Sequence, residues 1–484
     1  MAMKRFALAV AGLAALAMVG CDGLSMNSGF NSSGTGSSVS GKSGLNKYSG
    51  WVKTNQDSLS TFGADVDGGS YTLARGRILS RLSVDATQIR PEEFINYFAQ
   101  DYDVPKESVF GISLEAAPSL WRSGVHVLRV GVQGRVDSAA IRLPWNVTFL
   151  VDLSGSMSSQ LPLVKSILNT MVDNMRSGDI LSIAAFDAKP YTILEPDSLG
   201  GSGPDKAEIR KRIAGMTADN STNMEDGIAL GYQLNDRNHL QANNRVVVIS
   251  DGGFNVGITS ANGLLALVNQ HIQKGTTITT LGVGADSQGA AEMETLADKG
   301  DGNYFYIDSE AEARSVVGTK LGSTMTLIAR DLKIQVAFSS ERVESYRLIG
   351  YENRDIKDDE FSTPSTDGGE IGSGHHVTAL YELKLKPGTG ALGEVRLRYK
   401  DADGSNGINH YTTRTIANSY VAESATAATP RLQFTQCVSE FAERLRNSPW
   451  ASTSYAQIYS NASKVYNPAD TADVGFLNLV AIKK

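Results

Sequence analysis

The spacing of apolar positions divides this chain into stretches with different periods. Residues 144–327 alternate short apolar runs with amphipathic segments. Residues 147–151, 180–186, the "VVVIS" that follows Arg245, "TTITTLGVG" and "NYFYID" read as strands, with "VVVIS" buried on both faces. "KPYTILEP" reads as a short edge strand. Between them, residues 161–175 place Val164, Leu168, Met171, Val172 and Met175 at helical spacing. Further helices are expected at 204–215, 224–236, 260–274, near 289–299 and from 309 to about 327. Strand–helix alternation of this kind predicts an α/β fold, a doubly wound and mostly parallel sheet.

The flanks follow other periods. From 51 to about 105 the pattern is mostly helical. "IRPEEFINYFAQDY" opens with Pro91 and two glutamates, which fits a helix start, and Ile95, Phe98 and Ala99 form its expected buried face. "HVLRVGVQG", residues 126–134, alternates as a strand does. After 328 the period of two returns in "LKIQVAFSS", "VESYRLIGYE", "HVTALYELKL", "GEVRLRYK" and "HYTTRTI". "KDADGSNG", residues 400–407, is rich in Asp, but it lies between two strand patterns and lacks the bidentate acid of a helix-loop-helix calcium loop. It reads as a hairpin turn. "PRLQFTQCVSEFAERLRNS" aligns Phe434, Val438, Phe441 and Leu445 on one helical face, and a second helix is expected near 452–465. The chain thus divides into an N-terminal flank at 51–143, the α/β domain at 144–327, a β-rich domain at 328–420 and a helical region at 425–484. The strands before and after the α/β domain are expected to form one β-rich unit into which that domain is inserted.

Composition narrows the function classes. The 484 residues are 41% hydrophobic and 20% charged, ordinary values for folded protein. The formal charge of −7 gives no sign of the basic face that nucleic acid would need. Residues 1–20 carry Lys4 and Arg5, then an apolar run at 6–19, and read as a signal peptide. Gly20 and Cys21 at its end resemble a bacterial lipoprotein signal, in which the cysteine is acylated and becomes the mature N-terminus. Residues 21–50, rich in Gly and Ser, read as a tether from that lipid to the body. Asp22 resembles an inner-membrane retention signal. The expected location is therefore the cell envelope: the periplasmic face of the inner membrane if Asp22 acts so, otherwise the outer membrane or cell surface. "GSSVSGKS", residues 36–43, matches the phosphate-loop pattern, yet no strand precedes it and no helix follows, so no nucleotide binding is expected. With Cys21 acylated, Cys437 has no disulfide partner and reads as a packed thiol.

Chemistry concentrates at "FLVDLSGSM", residues 149–157. In an open parallel sheet, ligands bind beyond the C-terminal strand ends, where the strand order reverses. Asp152 ends the first strand of the α/β domain, and Asp251 follows the strand in "VVVISDGG". With strand order 3-2-1-4-5-6 these acids face one crevice, where two carboxylates repel unless a cation intervenes. Ser154 and Ser156 alternate along the loop, and Thr222 in "DNSTNMEDG" opens a helix. All five donors are oxygens, which favours Mg²⁺, Mn²⁺ or Ca²⁺ over zinc.

"DLSGSM", the Thr of "STN", and "SDG" together resemble the metal-ion-dependent adhesion site of von Willebrand factor type A domains. The resemblance implies that Ser154, Ser156 and Thr222 approach the metal and that Asp152 and Asp251 assist directly or through water. "STFGADVDGGSY", "PEEFINYF", "YRLIGYENR" and "GHHVTALYELK" extend it to bacterial lipoproteins with a central domain of this type. A metal ringed partly by neutral hydroxyls stays electrophilic, so the expected partner is a protein that offers Asp or Glu. The chain is not expected to be an enzyme: no general base is evident near the motif, and no G-x-S-x-G elbow is present. His375 and His376 are adjacent on a strand start and point to opposite faces, a poor joint metal site. The competing readings are a metal-dependent hydrolase, an adaptor for an AAA-type ATPase, and an envelope scaffold without a metal.

Overall fold

The computed structural model describes residues 48–484 except 65–66, 138–143, 200–202, 219–222, 241–242, 253–260, 285–287, 364–367 and 403–407. Cys21, Asp22, "GSSVSGKS" and Thr222 lie outside the described residues, as does most of the 400–407 turn. All described residues belong to one compact unit, Leu45–Lys484.

The N-terminal flank contributes strands β1 (Val52–Lys53) and β2 (Leu59–Gly63), helices α1 (Gly69–Leu79) and α2 (Pro91–Tyr97), and strands β3 (Phe110–Pro118) and β4 (His126–Gly134). Two strands thus stand in the stretch whose pattern read as mostly helical. β2 is held by pairing with a distant strand, a tertiary effect that local pattern does not carry. In α2 the glutamates Glu92 and Glu93 are buried and Ala99 is exposed. The helix ends at Tyr97, before the expected face is complete, so Ala99 never joins it.

The central α/β domain runs β5 (Asn146–Asp152), α3 (Leu161–Asn174), β6 (Ile180–Phe186), β7 (Pro190–Ser198), α4 (Lys206–Ala214), α5 (Met224–Asp236), β8 (Asn244–Ser250), α6 (Ala261–Ile272), β9 (Thr276–Val283), α7 (Gln288–Asp298), β10 (Tyr304–Ile307), α8 (Glu310–Ser315) and α9 (Leu321–Met325). Its sheet order is β10-β9-β8-β5-β6-β7. Read from the far edge, this is the 3-2-1-4-5-6 order on which the two acids share one crevice. All pairings are parallel except that of β7 with β6, and β7 is a full nine-residue strand. Alternation explains the layering. Val147, Phe149 and Val151 pack with Val164, Leu168 and Met171 of α3, while Leu150 packs with Ile228 and Tyr232 of α5. A π-helical turn, Val316–Lys320, separates α8 from α9, where a continuous helix was expected.

The C-terminal flank adds β11 (Leu327–Phe338), β12 (Val343–Ile349), β13 (Ile371–Gly372), β14 (His376–Leu385), β15 (Gly393–Asp401) and β16 (Asn409–Ile416), then helices α10 (Pro430–Leu445), α11 (Tyr455–Val465) and α12 (Thr471–Lys483). Strands from both flanks interleave. One sheet has the order β1-β12-β14-β4-β3, and the other the order β13-β11-β15-β16 with β2 also on β11. Leu114, Leu128, Val130 and Tyr381 of the first share a core with Ile334, Val336, Val395 and Leu397 of the second. Helices from both flanks share another core, built on Tyr71, Phe94, Phe98, Phe434, Phe441 and Phe476. Each fully buried ring there contributes about 2–3 kcal/mol. Cys437 is fully buried in this layer, and burial pushes its thiol up. α12 falls within the expected helical region, but its bounds could not be set from the pattern, because its apolar residues occupy most of its circumference and give no helical period. Among the described residues no helix is long and apolar enough to cross a membrane.

Candidate metal centre

β5 is buried along its whole length and delivers Asp152 to the C-terminal crest of the sheet, fully enclosed. The chain then leaves in extended form at Ser154 and turns through a 3-10 helix, Gly155–Ser159, before α3 begins. Met157 has no exposure and plugs this loop into the core, which leaves its polar neighbours facing outward. Ser154 is 2% exposed, whereas Ser156 is exposed.

The hydrogen bonds around Asp152 fix its carboxylate on both sides. The Ser154 amide donates to Oδ1 at 2.9 Å, and the Ser250 hydroxyl donates to Oδ2 at 2.7 Å. The Ser154 and Ser156 hydroxyl oxygens lie 3.2 Å apart. Burial pushes the Asp152 carboxyl up to about 6; hydrogen bonds from Ser154 and Ser250 oppose this, and the charge of Asp251 adds to it.

Asp251 reaches the same crest from β8. β5 and β8 are parallel neighbours, with Val151 opposite Ile249. One step further along both strands brings Asp152 level with Ser250, and Asp251 follows. The next residue, Gly252, has φ +87, and a Cβ on it would come within 2.3 Å of the Gly289 backbone in α7. Gly252 is thereby pressed onto the start of α7, a close approach open only to glycine. On the other side of β5, the Asn223 amide donates to the Asp187 carbonyl at 2.8 Å, holding the start of α5 against the end of β6.

The structure therefore brings together Asp152, Ser154 and Ser156 in one loop, with Asp251 on the neighbouring strand end. Thr222, next to Asn223 in the chain, is outside the described residues. Ser250 is the residue that the pattern alone missed. Its signal was a hydroxyl side chain directly before the acid of "SDG", level with Asp152 once the strand order is known. Among the described residues no group of three or more His, Cys, Asp or Glu is placed to hold a metal. The crest has two acids, and its remaining donors are hydroxyls. A carboxylate pushed up chiefly by burial, with a second acid adding to it, beside two converging hydroxyls, fits a hard divalent cation. His375 and His376 are remote from this loop. Their ring nitrogens Nδ1 and Nε2, respectively, are enclosed without a hydrogen-bond partner.

Residues 146–319 match the von Willebrand factor type A domain family. Residues 45–129 match a family described as von Willebrand factor, and residues 323–394 match one described as Uncharacterized protein YfbK, C-terminal. The chain is 35% identical over 353 residues to Uncharacterized protein YfbK of Escherichia coli (strain K12), covering 70% of this chain and 60% of that protein. It is 26% identical over 287 residues to Uncharacterized protein sll0103 of Synechocystis sp., covering 57% of this chain and 66% of that protein. In both cases the match spans less than two thirds of the relative's own length. Among solved structures, von Willebrand factor type A from Catenulispora acidiphila aligns with 80% of this chain and 98% of its own, at 15% identity and a TM-score of 0.43.

Proposed function

We propose that this chain is a divalent-metal-dependent protein-binding module of the bacterial cell envelope, held to its membrane by a lipid on Cys21. Asp152, Ser154, Ser156, Thr222 and Asp251 would hold the cation, Mg²⁺ in the first instance and Mn²⁺ or Ca²⁺ as alternatives. When bound, such a cation supplies an electrophilic position that an Asp or Glu side chain of a partner protein can fill. The observation that carries the reading is the pairing of an enclosed Asp152 with two converging hydroxyls beside Asp251.

The test is affinity capture with the purified protein, run with Mg²⁺, with EDTA, and with a Ser154→Ala, Ser156→Ala double variant. A partner retained in Mg²⁺ and lost in both other arms supports the reading. Capture that is indifferent to EDTA would instead favour a scaffold without a metal. The anchor is tested separately by palmitate labelling, which Cys21→Ala should abolish.

A further inference from the structure

We infer that Ser250 is a positioning residue that locks the two acids of the crest into one unit, and so sets how tightly and how selectively a cation is held. This rests on the metal reading above. Ser250 is the last residue of β8 and has no exposure. Its hydroxyl carries one proton, and that proton is committed to Asp152 Oδ2 at 2.7 Å. With the proton so directed, a lone pair is turned to the Gly252 amide, which donates to the same oxygen at 3.0 Å. A single hydroxyl thus bridges the carboxylate that ends β5 and the amide on the far side of Asp251. Gly252 is at the same time pressed against Gly289 of α7. Asp251 is therefore flanked by two residues that are linked to Asp152 through one hydroxyl.

The consequence falls on cation choice. Mg²⁺ demands near-ideal octahedral geometry, whereas Ca²⁺ accepts a flexible and irregular shell. Loosening the link between two ligating loops should therefore cost Mg²⁺ more than Ca²⁺. Groups that orient metal ligands in this way are typically worth 10- to 100-fold in metal affinity.

The experiment compares wild type, Ser250→Ala and Ser250→Thr by calorimetric titration with Mg²⁺ and with Ca²⁺, together with thermal unfolding in EDTA. Ser250→Ala is expected to weaken Mg²⁺ about 10- to 100-fold and Ca²⁺ by a clearly smaller factor. Ser250→Thr, which keeps the hydroxyl, is expected to restore most of the Mg²⁺ affinity at a comparable unfolding midpoint. Unchanged Mg²⁺ affinity in Ser250→Ala overturns the inference. So does an equal loss for both ions that tracks the unfolding midpoint, since that pattern belongs to a purely structural role. A wild-type protein that takes up neither ion overturns the metal reading itself, and this inference with it.

Discussion

Arg75 of α1 grips Asp308, just past the end of β10, with two parallel hydrogen bonds: Nε to Oδ2 at 2.7 Å and Nη2 to Oδ1 at 2.6 Å. The same guanidinium reaches Glu312 of α8 at 2.8 Å and the Tyr97 hydroxyl of α2 at 2.7 Å. Burial alone would push Glu312 up, and Lys320 and Arg75 overcome it and hold the carboxyl below its ordinary value. The N-terminal flank is thus tied into the α/β domain by an ionic knot whose acids are 7% and 3% exposed.

Arg75→Ala leaves both acids buried without their guanidinium. Breaking a buried pair from one side typically costs about 3–5 kcal/mol, and urea unfolding of the variant is expected to show a loss of that order. A loss under about 1 kcal/mol would mean that the knot behaves as a surface pair does.

Asp152 gives the clearest pH signature. Its folded value of about 6 stands above the ordinary 3.8, so without a cation the folded protein holds this proton more tightly than the unfolded chain. The stability it contributes is complete below about pH 4 and is lost as pH rises through 6, on the order of 3 kcal/mol. In EDTA, the wild type is expected to lose stability from pH 4 to 7 relative to Asp152→Asn, which stays neutral. Adding Mg²⁺ should close the gap at pH 7. Parallel profiles for the two proteins would contradict the assignment.

Gly252→Ala should fail on two counts. The backbone there is left-handed, and the new Cβ would lie 2.3 Å from the Gly289 Cα. Strain at such a position costs about 1–3 kcal/mol, and the loop that carries Asp251 must move to relieve it. The expected result is a lower unfolding midpoint together with weaker Mg²⁺ uptake in calorimetry. Intact uptake at a lowered midpoint would show that the contact serves the fold alone.

The two adjacent histidines predict acid sensitivity. Burial pushes His375 down to about 3 and His376 down to about 4, so the unfolded chain takes up protons before the folded one does. Their contribution to stability is intact above about pH 6.5 and is lost as pH falls from there towards 3. Allowing for partial exposure of both side chains, this amounts to about 2 kcal/mol each. A His375→Phe, His376→Phe variant that still folds at pH 7 is expected to unfold at a lower pH than wild type, followed by circular dichroism. An unchanged acid midpoint would place the sensitivity elsewhere.

The α/β domain was legible because its signals are local. Runs such as "VVVIS" announce strands covered on both faces, and their alternation with helices announces a doubly wound sheet, though not its strand order. Asp152, Ser154, Ser156 and Asp251 could be named from one strand-end motif and its counterpart. Ser250 could not, because a serine at a strand end has no distinguishing pattern until the register sets it level with Asp152. β2 was hidden for a related reason: its identity as a strand depends on pairing Phe62 with Ile334 in β11. The bounds of α12, inside the expected helical region, were hidden by excess, since a helix apolar on most sides shows no period to detect. Ala99 was misplaced because α2 stops one residue short of Phe98.

The interleaved sheets also constrain the order in which this protein can be made. The Gln335 side chain donates to the Thr61 hydroxyl across 274 residues of sequence. Early segments such as β2, β3 and β4 leave the ribosome long before β11, β14 and β15 exist to receive them. The inserted domain's contacts are comparatively local, whereas the sandwich must join strands from both sides of it. Closure of the sandwich is then the late and slow event. Until it happens the N-terminal strands present unpaired edges, a liability for aggregation.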